Sequence, residues 1–494
     1  MALRNSGGAF GKAAQAMKAL LLCAMVGVPT LAHPQHWRSL GRGPQQASVH
    51  GIMADTLADR LIVCGDFNYY MNDEDTIHCC SVAQWRGTRW DTLAHPMVDD
   101  DQIFCGTAYW LSRFNNRLYV CGGVSLANGT VPAPGGFLRL NEQTLRWEPL
   151  ICPNPYYSSL ALVAPRETSG QPYLYLTGEA WSLCGFPEAC AFRYDGFSIT
   201  EWEPWAQIPS STSNVVNYMF EFRDKVYVGG SIANPLGPGF KTLLRHNGTD
   251  WEEVPGYNGG LIKDISIYRD TLYFAGQFSV PGGVGGSGVA AFDGEQWFPL
   301  GDGLALPVAP QYASGHSLRW FHDELYVGGG FTHAGGIPAN GLAKWNRRQW
   351  CSLPGFDVNS FDQPRKVNSM AVWRDSLYVE GMFTTLEGDP IRYVAQWIGG
   401  DAVTDCSTPV GIPEPASEQE LRPSPNPTSG GFNIIGLPAN AATVDLHDAT
   451  GHLVLQEKAV GEEIDITGIA SGLYCIVIRD RYGSLLSRST IVKH

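Results

Sequence analysis

Carboxylates and tyrosines gathered in irregular stretches are the residues whose types and spacing could do chemistry. Asp66, Asp73, Glu74 and Asp75 fall in one stretch, GDFNYYMNDEDTIHCC, and clustered carboxylate oxygens are the ligands that calcium takes. Their spacing matches no EF-hand, so a solvated acidic rim is the competing reading. Asp99, Asp100 and Asp101 form a second acidic run shortly afterwards. Glu380 stands out differently: six related segments carry Cys64, Cys121, Thr177, Gly229, Ala275 and Gly328 at its position, so it is an acid in a column of small residues. It is either a site residue or a side chain paired or solvated at a strand end. The aromatic residues Tyr69, Tyr70, Tyr156, Tyr157 and Trp181 also lie in irregular stretches. Rings on loops suit stacking on sugars or packing against protein; alternatively they pin long loops.

Other chemistries find no support. Gly283 to Gly288 reads G-x-G-x-x-G, yet it precedes a strand-like segment and opens no helix, which a dinucleotide site requires. No G-x-S-x-G, H-E-x-x-H or Walker loop occurs, and no C-x-x-C pair suggests zinc. No cofactor is therefore expected.

The elements that must position these residues come from a repeat. Seven segments end a strand-like run in glycine, LIVCG at Gly65, LYVCG at Gly122, LYLTG at Gly178, VYVGG at Gly230, LYFAG at Gly276, LYVGG at Gly329 and LYVEG at Gly381. Each follows another strand and a turn, such as Arg374-Asp375, and precedes a third strand, such as VAAFDGEQW. A fourth strand of form W-x-x-L begins at Trp90, Trp147, Trp202, Trp251, Trp297 and Trp350, with Trp205 and Val254 standing in for Leu. Four strands per unit of about 53 residues is one propeller blade. The seventh unit stops at Gly399-Gly400 without its W-x-x-L, and Trp37-Arg38-Ser39-Leu40 supplies one near the other end of the chain. The expected fold is thus all-β, a seven-bladed β-propeller over 33–400 closed by an N-terminal strand, which removes an open sheet edge. In such blades the interblade loops and those between second and third strands share one face, which would collect the irregular aromatics and acids.

Composition agrees. Of 494 residues 57 are Gly and 56 are aromatic, while only 17% are charged, a balance suited to short strands and tight turns. The net charge is −14. Residues 1–32 contain Arg4, Lys12 and Lys18 and no acid, leaving −17 for the remainder, which disfavours a nucleic-acid partner. That leader also has an apolar run from Ala19 to Val28 and Thr30-Leu31-Ala32 before His33, the pattern of a secretory signal peptide. No transmembrane segment is expected, the apolar run being too short to span a bilayer. Eleven of the 12 cysteines follow the leader, in a compartment that permits disulfides. Cys184 and Cys190, bracketing a short loop, are the best expected pair; Cys79 and Cys80 would reach Cys64 or Cys105.

With these patterns on the page, residues 33–400 resemble the kelch-like, galactose-oxidase-like propellers, in which a Gly doublet, a Tyr and a Trp recur per blade. That resemblance implies a fold and no activity; galactose oxidase's copper and Tyr–Cys cross-link have no counterpart here by local motif. After the Pro- and Ser-rich linker 401–422, residues 423–494 form alternating strands and Gly turns, a small β-sandwich. Pro425-Asn426-Pro427, the turn around Asp448 and Gly451, the G-L-Y strand from Gly472 and the basic end resemble the C-terminal sorting domain (type A) of the type IX secretion system of Bacteroidetes-type bacteria. The resemblance implies a partnership with that machinery, Sec export followed by outer-membrane translocation, and release from or attachment to the cell surface. The expected role is a secreted or surface recognition module for a glycan or protein, the alternative being a carbohydrate-active enzyme with paired acids in a central funnel.

Overall fold

The computed structural model describes residues 35–494 apart from 45–47, 95–105, 124–125, 128–130, 134–135, 151–160, 164–172, 179–188, 258, 280–286, 357–366, 408–421, 436, 438–440, 449–452, 460–462 and 481–484. The described chain is all-β, its only helical elements being the short 3-10 turns Glu203–Gln207 and Pro310–Tyr312. Two compact units divide at 409/410.

Among the described residues, seven antiparallel sheets, six of four strands and one of five, make up most of the first unit, with strand orders that match the repeat and three smaller sheets beside them. Sheet 1 runs Ser48–Asp55, Arg60–Asp66, Val82–Trp85, Trp90–Thr92. Sheets 2 to 6 follow with the same order over 107–149, 161–201, 215–253, 260–299 and 314–352. Sheet 7 takes three strands from 367–397 and its fourth from Trp37–Ser39, with Trp37 opposite Trp397, Arg38 opposite Gln396 and Ser39 opposite Ala395. Neighbouring sheets pack along the chain through the first strand of the later or both members, and the first strand of sheet 7 packs against that of sheet 1.

Two repeated devices join neighbouring sheets. The tryptophan that opens each outer strand is buried in most sheets, and in five of them its indole N–H reaches a backbone carbonyl of the preceding sheet's outer segment, whereas the buried Trp202 indole of sheet 3 has no such partner among the described residues. Trp251 donates to Pro204 (3.2 Å), Trp297 to Pro255 (2.8 Å), Trp350 to Leu300 (2.7 Å) and Trp37 to Pro354 (2.7 Å); Trp90 of sheet 1 donates to Leu40 of sheet 7. At the opposite corner, first hairpins turn through Asn115-Asn116, Arg223-Asp224, Arg269-Asp270, His322-Asp323 and Arg374-Asp375, every one of these residues having φ between 47° and 62°. Positive φ at both central positions is the type I′ turn, whose twist matches that of the strands. From these turns Arg223 pairs with Asp270 (2.7 Å), Arg269 with Asp323 (3.2 Å), His322 with Asp375 (2.8 Å) and Arg374 with Asp59 of sheet 1 (2.6 Å). Such exposed pairs contribute little individually; their value here is in specifying which hairpin is the neighbour.

The cysteines pair differently from expectation. Cys351 and Cys406 form a disulfide that tethers Asp405–Cys406 as a fifth strand on sheet 6, so the first residues of the expected linker belong to this unit. Cys80 is disulfide-bonded. Cys64 and Cys79 are buried free thiols, which removes Cys64 as a partner for the Cys79-Cys80 pair. Cys184 lies outside the described residues, and Cys190 is a buried thiol outside any disulfide, its Sγ 3.4 Å from the Asn214 carbonyl oxygen, so the expected Cys184–Cys190 bridge is not formed.

In the second unit a three-stranded sheet, Arg422–Ser424, Gly431–Ile435 and Ile464–Asp465, shares a core with a four-stranded one built from Leu453–Lys458, Ala441–His447, Gly472–Asp480 and Leu485–Lys493. Phe432 and Ile464 of the first pack with Val444, Leu446, Ile476 and Ile491 of the second. Asn426 holds the last strand, accepting from Val492 N–H and donating to the Thr490 carbonyl, each at 2.9 Å. Lys493 is buried, and its ammonium donates to the carbonyls of Thr467 (3.0 Å) and Ile469. Asp448 follows the strand Ala441–His447, Gly472 opens its strand opposite Lys493, and Gly451 lies outside the described residues.

Candidate functional site

The signature glycines mark a bulge, and the bulges build a site. In sheet 1, Val49 pairs with Gly65 and Gly51 with Cys64, leaving His50 as an extra residue. The same shift occurs opposite Gly122, Gly230, Gly276, Gly329 and Gly381, where the extra residues are Tyr109, Asn217, Lys263, His316 and Asn368. A bulge bends its strand and re-aims a side chain. It also presses the first strand onto the second, which explains the glycine: at Gly122 a Cβ would overlap the Thr107 carbonyl oxygen, and at Gly276 that of Leu261.

Five of these six extra residues, His50, Tyr109, Lys263, His316 and Asn368, line one pocket of about 240 Å³. Its wall therefore comes from the first strands of sheets 1, 2, 5, 6 and 7, with Trp110, Asp264, Arg319 and Ser369 beside them. Polar groups run across the sheets: Lys263 Nζ lies 2.8 Å from His316 Nε2, and His316 Nδ1 lies 3.4 Å from Asn368 Oδ1. Asp264 accepts from the backbone N–H of Leu318 (2.7 Å) and of Ile265 (2.8 Å) and faces Arg319 at 3.7 Å. Burial raises its carboxyl above the usual carboxylate range, with Arg319 opposing. Burial also lowers the His50 imidazole, against the pull of Asp66. Tyr109 is 38% and Trp110 46% exposed, so both offer ring surface, and the His50 ring lies 5.2 Å from that of Tyr109. Aromatic faces, imidazoles, an ammonium and a guanidinium in one concavity can stack and hydrogen-bond a small polar ligand. Glycoside hydrolysis uses two flanking carboxylates; among the described lining residues Asp264 is the one carboxylate.

The residues singled out from sequence are placed unevenly. Glu380 is 1% exposed, inside the sheet 7 strand and opposite Ser369 of the pocket wall. Its Oε2 has no hydrogen-bond partner among the described residues. Burial drives its carboxyl well above the usual range, opposed by a hydrogen bond from Asn368. Burial likewise raises the Cys64 thiol, with Glu380 adding to the effect. Glu380 thus stands behind the wall, within its strand, rather than in the pocket. Tyr69 and Tyr70 are adjacent in the strand Tyr69–Met71, so alternation sends them to opposite sides. Tyr69 is 42% exposed, whereas Tyr70 is fully buried against Phe67 and Trp90 and presents no surface to a ligand. Asp75 accepts from Asn72 and pairs with Arg89 (both 2.8 Å), and Asp66, Asp73 and Glu74 are exposed. No group of three potential metal ligands comes together among the described residues. Tyr156, Tyr157, Trp181 and Asp99 to Asp101 lie outside the described residues.

Sequence reasoning missed the set of bulge residues, although a signal was available. Each lies thirteen positions before its signature glycine, or fifteen in sheet 1, where the hairpin turn is longer. That column reads His, Tyr, Asn, Lys, His, Asn, polar or aromatic throughout, on strands that are otherwise largely apolar or small.

Comparison with known proteins bears chiefly on the second unit. No curated protein matches the chain. Among solved structures, the extracellular domain of BT4673, a one-component system from B. thetaiotaomicron, aligns over 92% of this chain and 54% of its own length, at 10% identity and TM-score 0.44. The chain therefore spans about half the length of that relative. PorZ, a surface component of the type IX secretion system of Porphyromonas gingivalis, aligns over 91% of this chain and 82% of its own, at 11% identity and TM-score 0.28. A puromycin-hydrolyzing peptidase of Mycobacterium tuberculosis aligns over 90% and 60%, at 13% identity and TM-score 0.42. Among the described residues no helix is long and apolar enough to cross a membrane. Residues 424–493 match the model of the secretion system C-terminal sorting domain, so the chain carries at that end the type IX sorting domain that its Pro-Asn-Pro and Gly-Leu-Tyr motifs suggested, which supports export to the cell surface or medium.

Proposed function

We propose that this chain is an exported recognition module: a seven-bladed, kelch-like propeller over about 33–400, closed by Trp37–Ser39, that binds a glycan or protein at its centre. The observation that carries the reading is the ring of bulges, which brings His50, Tyr109, Lys263, His316 and Asn368 from five sheets to one pocket. Seven like sheets in succession, with the last packed on the first, support the closed architecture. A rigid scaffold presenting side chains around a shared concavity is a common way to build recognition. Residues 1–32 act as the signal peptide, 410–421 as the linker and 422–494 as the export signal read by the type IX machinery. Tyr69, with Tyr156, Tyr157 and Trp181, forms a secondary contact surface on the loop face.

A glycan array probed with the exported protein and with its Tyr109→Ala/Trp110→Ala variant tests the reading. Binding by the wild type that the variant loses, at equal melting temperature, is expected. Binding that persists unchanged in the variant places recognition elsewhere. Polysaccharide cleavage by the wild type would favour the enzyme alternative.

A further inference from the structure

Resting on the recognition reading, we infer that the central pocket takes the terminal acidic residue of a glycan, its carboxylate directed to Lys263 and its ring held against Tyr109 and Trp110. Three features of the pocket lead there. The first is charge: in a protein of net charge −14, Lys263 and Arg319 converge on this concavity and Asp264 is the one described carboxylate in its lining. Asp264 is also turned to the scaffold, accepting from two backbone N–H groups and facing Arg319. A cationic lining in a concave, low-dielectric site focuses potential and draws anions.

Size is the second. About 240 Å³ is below the roughly 300 to 1,000 Å³ of pockets that enclose drug-sized ligands. It suits one ring entered end-on, not a stretch of polymer lying in a groove. Surface aromatics are the third: Tyr109 and Trp110 remain well exposed while lining the pocket, and exposed rings beside hydrogen-bonding groups favour a pyranose over a bare anion. His316, 2.8 Å from Lys263 Nζ and 2.9 Å from Ser314 Oγ, holds the ammonium's neighbourhood in place. Lys263 reaches this position because it is the bulged residue of sheet 5.

The test is titration calorimetry of the purified exported protein, at low and at physiological salt, with glucuronate, N-acetylneuraminate, glucose, acetate and a hexaglutamate peptide. Acidic sugars are expected to bind at least about tenfold tighter than glucose or acetate, the effect of one charge-assisted hydrogen bond. Lys263→Met should erase that preference, and Trp110→Ala should weaken all sugars alike. Arg374→Met, on the hairpin face, should change neither. Equal binding of glucose and glucuronate overturns the acidic-sugar inference while leaving sugar recognition standing. Hexaglutamate or acetate binding as tightly as the acidic sugars overturns the choice of a sugar. No binding by either acidic sugar also overturns the inference, and the recognition reading is then decided by the glycan array.

Discussion

Replacing Trp37 by alanine removes the anchor of the strand that completes sheet 7. Its side chain is fully buried, donates its indole N–H to the Pro354 carbonyl at 2.7 Å, and packs 5.1 Å from the Phe356 ring and 4.9 Å from that of Trp397. Truncating a buried Trp to Ala costs about 3–5 kcal/mol, and the Pro354 carbonyl would also lose its partner. Trp37–Ser39 has only three residues in register with Val394–Trp397; His36 on Glu387 and Leu40 under the Trp90 indole flank it, and the Trp37 ring is its largest buried anchor. Trp37→Ala should therefore lower the stability of the exported protein by about 3–5 kcal/mol in urea unfolding, release the strand and leave the Val394–Trp397 edge unpaired. An unpaired edge templates association, which light scattering would detect as oligomers near the transition. Phe298→Ala, at a side chain 44% exposed, is the control and should stay within about 0.5 kcal/mol of wild type. A loss below about 1 kcal/mol for Trp37→Ala, with no added association, would refute the closing role of this strand.

Three further outcomes follow from buried or cross-linked groups. Burial raises the native pKa of Glu380, so the folded state keeps a proton that the unfolded chain releases near pH 4.3; stability should fall as pH climbs from there toward the raised native value. Glu380→Gln should flatten that slope and raise the melting temperature at neutral pH, and an unchanged pH profile would count against a neutral buried acid. The Cys351–Cys406 bridge spans 55 residues, for which loop-closure entropy predicts about 4 kcal/mol; the Cys351→Ser/Cys406→Ser variant should melt lower by a matching amount, whereas coincident melting curves would show that the tether is idle. Asn426→Ala removes two hydrogen bonds to the final strand, each worth about 1 kcal/mol. Faster amide exchange at Thr490 and Val492 should accompany retention of the protein inside the cell, and normal export with a frayed strand would separate the motif's structural role from its export role.

Much of this architecture could be read locally. A strand announces itself through alternation and a hairpin through its turn residues, so LYVGG, Arg374-Asp375 and W-x-x-L located all seven sheets in the described residues without knowledge of any partner. The count also assigned Trp37 to Leu40 to sheet 7, because one outer strand was missing at one end and surplus at the other. The sorting motif was legible for the same reason: its residues lie close in sequence.

What the sequence by itself determined, then, was the all-β class, the repeat, the strand that completes sheet 7 and the sorting tail, since each depends on short-range pattern. Tertiary structure alone decided which side chains meet. Glu380 looked like a site acid, yet strand register turned it into the sheet and left Asn368 and Ser369 of the neighbouring strand on the pocket wall. Tyr69 and Tyr70 looked equivalent until the pleat buried one and exposed the other. The pocket residues are separated by up to 319 positions, from His50 to Ser369, and converge because a bulge in each first strand breaks the two-residue alternation at the same level. A bulge is defined by the offset between two paired strands, so no single strand's sequence contains it.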